Sequence, residues 1–328
     1  MKRLDDYWQG INAVSLALSP LALVFGAVVS VRRLLYRLGA FRAKRFPVPV
    51  VVVGNISVGG TGKTPLVIWL AAHLKDRGWR PGVVSRGYGG QARRWPQQVR
   101  PDSDSTTVGD EAVLLAQRTG CPVCVGPDRP AAVAALLEHT DCDLVISDDG
   151  LQHYALDRDL EIAVVDGTRR FGNGWLLPAG PLRESRGRLK SVDLVVVNSG
   201  ETRPGEFGMQ LQRPQVGPLG GSDVAEPLAR FAGQRVHAVA GIGNPSRFFA
   251  LLEQQGVDVV RHPFADHHRF RAEDLAFGDG LPVLMTEKDA VKCRRFAASG
   301  RWVVRVDAQP DAAFIQRLDE ALGEKTRG

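Results

Sequence analysis

Lys63 and Thr64 close the run Gly59-Gly-Thr-Gly-Lys-Thr64, and that order of residue types suits one kind of chemistry. Glycines let the backbone curl until successive N–H groups converge on phosphate oxygens at a helix N-terminus. A lysine placed there reaches the β- and γ-phosphates, and a threonine hydroxyl joins the shell of a Mg²⁺ ion. The loop from Ser57 through Val58, Gly59, Gly60, Thr61, Gly62, Lys63 and Thr64 therefore reads as a nucleotide cradle. In the pattern G-x-x-x-x-G-K-S/T the first glycine falls on Ser57, so the motif departs from the rule at its start. Context restores it: an apolar, β-branched run, Val48 to Val53, precedes the loop, and a helix-compatible stretch, Pro65 to Lys75, comes after it.

A second apolar run, Asp143 to Ser147, ends in Asp148-Asp149-Gly150. A carboxylate at the end of a buried strand is what the second metal-binding element of such proteins requires. Two adjacent carboxylates repel unless a cation or a proton intervenes; which of the two touches the metal stays open at this level. Asp110, Arg129 and Asp166 also fall at, or just past, strand ends. An arginine fork matches two phosphate oxygens at once, so Arg129 and Arg86 are candidates to offset phosphate charge. Cys121-Pro-Val-Cys124 has redox or zinc spacing but lacks a second ligand pair, and reads as a buried strand holding thiols.

These residues need elements to position them. Short apolar runs at Pro81 to Ser85, Glu161 to Val165 and Val192 to Val197 alternate with helix patterns opening at Gly109-Asp110-Glu111 and Gly126-Pro127-Asp128-Arg129. That rhythm predicts an α/β fold: a P-loop NTPase-like, doubly wound, mostly parallel sheet with functional loops at the carboxyl ends of its strands. Composition turns to Gly, Pro, Gln and Ser around Gly200 to Glu226, which reads as a connector. Beyond it, strands at Val236 to Ala240, Val257 to Val260, Pro282 to Met285 and Trp302 to Val306, with helices at Arg247 to Gln255 and Ala312 to Leu322, predict a second, smaller α/β domain. The expected division is a helical segment over 1–47, the P-loop domain over 48–205, a connector over 206–230, the smaller domain over 231–310 and a C-terminal helix over 311–328.

The N-terminal segment carries the charge. The chain of 328 residues has 42 basic and 36 acidic side chains, and residues 1–47 hold eight of the former and two of the latter, so the rest is balanced at 34 of each. A nucleic-acid-binding domain carries its basic surface on the fold itself, so nucleic acid is excluded as a partner. Tyr7 to Val31 has no charged residue, and such a run either crosses the bilayer or dips into it. Val31, Leu34, Leu35, Leu38 and Phe41 recur at helical spacing among Arg32, Arg33, Arg37 and Lys44, which predicts a basic amphipathic helix on a membrane surface. Positive charge after the apolar run places the downstream domains in the cytoplasm.

In order and number, the motifs resemble those of the tetraacyldisaccharide 4′-kinases. They include the loop Gly54 to Pro65, Ser85-Arg-Gly-Tyr-Gly89, Gly109-Asp-Glu111, Gly126-Pro-Asp-Arg129 and Asp148-Asp-Gly-Leu-Gln-His153. They continue with Pro178-Ala-Gly-Pro-Leu-Arg-Glu184, Gly241-Ile-Gly-Asn-Pro245, Asp266-His-His-Arg-Phe270 and Thr286-Glu-Lys-Asp-Ala-Val-Lys292. The resemblance implies transfer of the ATP γ-phosphoryl group, with Mg²⁺, to the 4′-hydroxyl of tetraacyldisaccharide 1-phosphate at the cytoplasmic face of the bacterial inner membrane. It also implies Asp110 as the base, a histidine at 267 or 268 that pairs with it, and His153 with Gln152 in the active site. Glu111 and Glu184 stand as metal or substrate contacts. A membrane-associated switch or metallochaperone of the P-loop class is the rival; a guanine-reading Asn-Lys-x-Asp is missing at Asn198, where Ser199-Gly200 come next.

Overall fold

A computed structural model describes residues 7–221 and 225–326 of the chain. Lys2, Arg3, Asp5 and Asp6 of the charge count, residues 222–224 of the expected connector and residues 327–328 lie outside them.

Valine and its neighbours build the centre. Strand β1 (Val50–Gly54) is buried on both faces, as a parallel strand covered by helices must be. Val51 and Val53 point into a core shared with helix α2 (Lys63–Asp76), while Val50 and Val52 enter a separate core on the opposite face. The first lobe continues through β2 (Pro81–Ser85), β3 (Gln97–Val99), the short α3 (Ser105–Val108) and α4 (Asp110–Thr119). It goes on with β4 (Val123–Val125), α5 (Arg129–His139), β5 (Leu144–Asp148), β6 (Leu160–Asp166) and β7 (Leu194–Asn198). Helices α2 and α4 cover one face of the sheet and α5 the other, the doubly wound arrangement that the alternation predicts.

The stretch expected as a connector over 206–230 instead contains β8 (Phe207–Pro218), a 12-residue strand, and the short β9 (Glu226–Pro227). β8 pairs in parallel with the end of β7 and then runs antiparallel to β13 (Arg301–Pro310). Its prolines hide it in the sequence. Pro214 sits where the ladder skips, two residues at 213–214 opposing Val306, and a bulge tolerates a residue that cannot donate to the ladder. The rest of the second lobe is β10 (Arg235–Ala240), α6 (Pro245–Gln254), β11 (Asp258–Pro263), β12 (Val283–Thr286) and α7 (Glu287–Cys293). The last helix, α8 (Ala312–Thr326), expected with the smaller domain, instead returns to the first lobe, where Phe314, Leu318 and Ala321 enter the core of α2 and α4.

All these strands form one sheet of 13, ordered β11-β10-β12-β13-β8-β7-β6-β1-β5-β2-β4-β3, with β9 beside β8. Each lobe is parallel within itself, apart from the edge strands β3 and β9. The antiparallel step between β8 and β13 reverses strand direction between the lobes. Because β8 begins at the carboxyl end of β7 and runs outward, the carboxyl ends of β10 and β12 point back at those of β1, β5 and β7. Functional loops of both lobes therefore meet in one cleft.

Helix α1 (Ala13–Arg37) is a single helix of 25 residues, about 37 Å long at 1.5 Å per residue. Pro20 lies inside it without ending it. The separate amphipathic helix expected from Val31 through Phe41 does not form; the helix stops at Leu38 and Gly39 turns the chain with φ +72°. By length and composition α1 could cross a membrane. One face rests on the domain, where a Cβ on Gly26 would come 2.6 Å from Leu176 and Arg33 donates to Ser191 Oγ. The other leaves Leu16, Leu23, Val24, Val28, Val31 and Leu34 exposed, Leu23 by 76%.

Candidate functional site

The loop after β1 folds as a phosphate cradle because two glycines adopt conformations closed to other residues. Gly59 has φ +101° and Gly62 +95°. Gly62 caps α2, and Asn198 at the end of β7 donates its Nδ2 to Thr61 O at 2.9 Å, against the space a Gly62 side chain would need. Ser57 is buried and bridges to Leu182, while Val58 N donates to Pro181 O at 2.8 Å. Ser57 thus anchors the loop rather than facing the cleft, which begins at Val58 and continues through Gly59, Gly60, Thr61, Gly62, Lys63 and Thr64.

At the end of β5 the two aspartates part company. Asp149 has φ +50°, a left-handed conformation that turns its carboxylate into the cleft. There it lies 3.5 Å from Lys63 Nζ and accepts from Arg183 Nη1 at 3.0 Å. Burial alone would raise its pKa; Lys63 and Arg183 outweigh burial and hold it well below the usual carboxylate range. Asp148 is buried, with Oδ1 lacking a hydrogen-bond partner, and burial followed by repulsion from Glu111 pushes it up to about 7. The orphaned, buried, proton-seeking oxygen of Asp148, with Asp149 next to it in sequence and Thr64 lining the same cleft as Asp149, offers hard oxygens of the kind that suits Mg²⁺, which keeps several waters and takes few protein ligands. Among the described residues no group of three or more His, Cys, Asp or Glu side chains forms a metal site by itself.

Asp110 opens α4, 4% exposed, and Gly109 before it has φ +94°. Its Oδ2 lies 3.1 Å from His267 Nδ1, on the loop after β11 in the other lobe. Burial, the largest single influence, raises the Asp110 pKa, but the His267 hydrogen bond and the charges of Lys288, His267 and Lys292 together outweigh it, so the group is held ionised. The same bond to Asp110 raises His267 above its ordinary value, against burial and Lys288. His267 itself has φ +59° and packs on Tyr88, ring centres 4.8 Å apart. Between the two histidines the geometry decides: His268 bonds Asp274 Oδ2 at 2.9 Å and packs on Phe264 and Phe270, away from Asp110. His153 lines the cleft with Gln152, and burial, then Arg129 and Arg86, lowers its pKa to about 4, so the ring is neutral.

Three of the expected residues are held by protein groups. Arg129 is 1% exposed and donates to Gly126 O and Asp148 O at 3.0 and 2.9 Å, bracing the backbone under the aspartates instead of facing the cleft. Burial lowers its pKa to about 10. Glu184 lines the cleft, where it accepts from Gln152 Nε2 at 2.7 Å and from Tyr154 Oη and pairs with Arg188, so protein groups hold both of its oxygens. Glu111 Oε1 is held by Lys288 Nζ at 3.0 Å, which makes it a link between lobes. Sequence reasoning missed Arg183, although it sits inside the Pro178 to Glu184 motif, and Arg169, whose Nη2 donates to Gly60 O at 3.2 Å. It also missed Arg247, which bonds Asn198 Oδ1 at 3.0 Å from α6. Their signal is spatial, since each comes from an element distant in sequence.

Lys63, Thr64, Asp149, His153, Arg183 and His267 line a cleft of about 1300 Å³ that also touches Phe25, Val29 and Arg32 of α1, with Asp110 buried behind His267. A glycine cradle, an ion-paired aspartate and a buried carboxylate paired with a cleft-lining imidazole across the gap define a P-loop phosphotransferase. The family model described as tetraacyldisaccharide-1-P 4′-kinase, LpxK, matches residues 14–323. Proteins called tetraacyldisaccharide 4′-kinase from Nitrosococcus oceani and Alkalilimnicola ehrlichii are each 55% identical, over 97% and 93% of this chain and 95% and 92% of their own. The crystal structure of LpxK from Aquifex aeolicus in complex with ATP superposes with a TM-score of 0.81 at 27% identity, covering 95% of this chain and 99% of that one. The chain belongs to the tetraacyldisaccharide 4′-kinase family, and it is a kinase.

Proposed function

We propose that the chain transfers the γ-phosphoryl group of ATP to the 4′-hydroxyl of tetraacyldisaccharide 1-phosphate, at the cytoplasmic face of the inner membrane, with Mg²⁺. The observation that carries this is the Asp110–His267 pair, 3.1 Å apart and contributed by opposite lobes, whose imidazole lines the cleft that holds Lys63. A sugar hydroxyl is a weak nucleophile and needs a positioned base. Asp110, kept ionised, takes the hydroxyl proton as the new O–P bond forms and the bond from the γ-phosphorus to the ADP oxygen breaks. His267 holds the carboxylate in line through its contact with Oδ2. Lys63 and the N–H groups of Gly59 to Thr64 bind the β- and γ-phosphates, and Arg183 keeps Asp149 aimed into the cleft. Thr64, Asp148 and Asp149 would hold Mg²⁺, which when bound neutralises charge on the phosphates.

The lipid acceptor is supported by α1, whose Phe25 and Val29 share the cleft with the cradle while its far side stays apolar and exposed. Acyl chains leaving the cleft along α1 would enter the bilayer the helix faces. The test is product chemistry: purified protein in detergent micelles with Mg²⁺, γ-labelled ATP and the lipid, beside Lys63→Ala. Label on the 4′-oxygen, absent from the Lys63→Ala reaction, is expected. Label released only as inorganic phosphate would overturn the reading in favour of a hydrolytic switch.

A further inference from the structure

Lys288 lies on α7, and the transfer step above makes no use of it. Its Nζ stands 3.0 Å from Glu111 Oε1, 3.2 Å from Asp266 Oδ1 and 3.4 Å from His267 Nε2. An ammonium has three N–H donors and accepts nothing, so these three acceptors occupy it fully and leave no donor for a phosphate. A ring nitrogen that receives an N–H must carry a lone pair. In the neutral ring, the form present above the raised pKa of His267, the imidazole proton is thereby assigned to Nδ1, the nitrogen facing Asp110. Glu111 belongs to the first lobe, Asp266 and His267 to the second, so the same ammonium also ties the lobes together beside the base.

We propose that Lys288 is a positioning residue, which reserves His267 Nε2 and so presents Nδ1–H to Asp110 across the cleft. The inference rests on the phosphoryl-transfer reading. His267 needs such a holder because its own backbone is left-handed at φ +59°, a conformation that surrounding contacts must maintain. The groups that face its ring are Asp110 from α4, Tyr88 from the loop after β2, Lys288 from α7 and Asp266 on its own loop. Lys292, one helical turn beyond Lys288, stands 3.8 Å from Asp110 Oδ2 and is paired to Asp289 at 2.8 Å. Lys292 thus adds positive charge near the base without touching the imidazole.

The test is a double-mutant cycle of Lys288→Met and His267→Ala, read as lipid phosphorylation. Lys288→Met is expected to lower kcat roughly 10²-fold, with the KM for ATP changed by less than about threefold. In the His267→Ala background the same substitution should cost less than about threefold more, because it acts through a ring no longer present. The acid limb of the kcat–pH profile should move to higher pH in Lys288→Met, since the ammonium that opposes imidazole protonation is gone. Lys288→Met with Glu111→Gln should behave like Lys288→Met alone, which covers misfolding caused by an unpaired carboxylate. A full loss that persists in the His267→Ala background, or a raised KM for ATP, would assign Lys288 to phosphate instead and overturn the proposal. ¹⁵N NMR of the imidazole separates this from failure of the transfer reading. Even if wild type transfers no label, a predominant Nδ1–H tautomer lost in Lys288→Met supports the positioning role, and an unchanged tautomer sinks it.

Discussion

Single residues decide what the cleft can bind. Gly62 combines φ +95° with direct contact to Asn198, so Gly62→Ala brings both backbone strain of ~1–3 kcal/mol and a clash with the amide that holds Thr61. Isothermal titration should show ATP binding weakened at least ~10-fold, whereas Gly78→Ala, in open space at φ +88°, should leave it intact. The Asp110–His267 contact also has a pH signature. His267 is raised above 6.5 in the folded protein, so its stabilisation is fully present below pH 6.5 and fades as pH rises through the raised value. The difference in Tm between wild type and His267→Gln should therefore be largest near pH 6 and shrink toward pH 9; a difference that grows with pH would contradict the pairing. Glycine spacing marks Lys63 and Thr64 and a strand end marks the Asp148–Asp149 pair, whereas Asp110 is named only by the family resemblance. The burial of Arg129 was not legible, since an arginine at a helix start looks the same whether it faces a phosphate or, as here, buries itself under Asp148. That Asp149 rather than Asp148 turns into the cleft depends on a backbone angle that no residue type encodes.

At the scale of elements, α1 follows its composition closely: the uncharged run forms one helix that keeps an apolar face free. Burying a Leu or Val side chain is worth roughly 1.5–3 kcal/mol. Leu23→Glu with Val28→Glu should then weaken binding to phospholipid vesicles by ~10²-fold or more, while ATP affinity stays as in wild type. Equal vesicle binding by the double variant would mean that another surface meets the membrane. The parallel strands were readable because burial on both faces demands continuous β-branched runs, as in Val50 to Val53. β8 escaped because glycine and proline within it read as punctuation. Only its partners, β7 at one end and β13 along the rest, and a bulge at Pro214, make it a strand.

For the whole molecule, the reversal between β8 and β13 is the central device. It turns two ordinary parallel lobes so that their carboxyl edges confront each other, bringing Asp110 and His267 together although 157 positions separate them. Nothing in the sequence announces that reversal, because strand direction depends on which strands pair. The lobes touch through charged links as well: Arg247 to Asn198 at 3.0 Å, Lys288 to Glu111 at 3.0 Å, and Arg118 of α4 to Glu287 and Asp307. Phosphoryl transfer across this gap, with Asp110 as the base, is the central claim. The most direct measurement is single-turnover phosphorylation of tetraacyldisaccharide 1-phosphate by wild type and Asp110→Asn, with ATP affinity determined for both. The expected result is a rate lowered ~10²–10⁴-fold in Asp110→Asn, with ATP affinity within about threefold of wild type. A variant that transfers at the wild-type rate would contradict it.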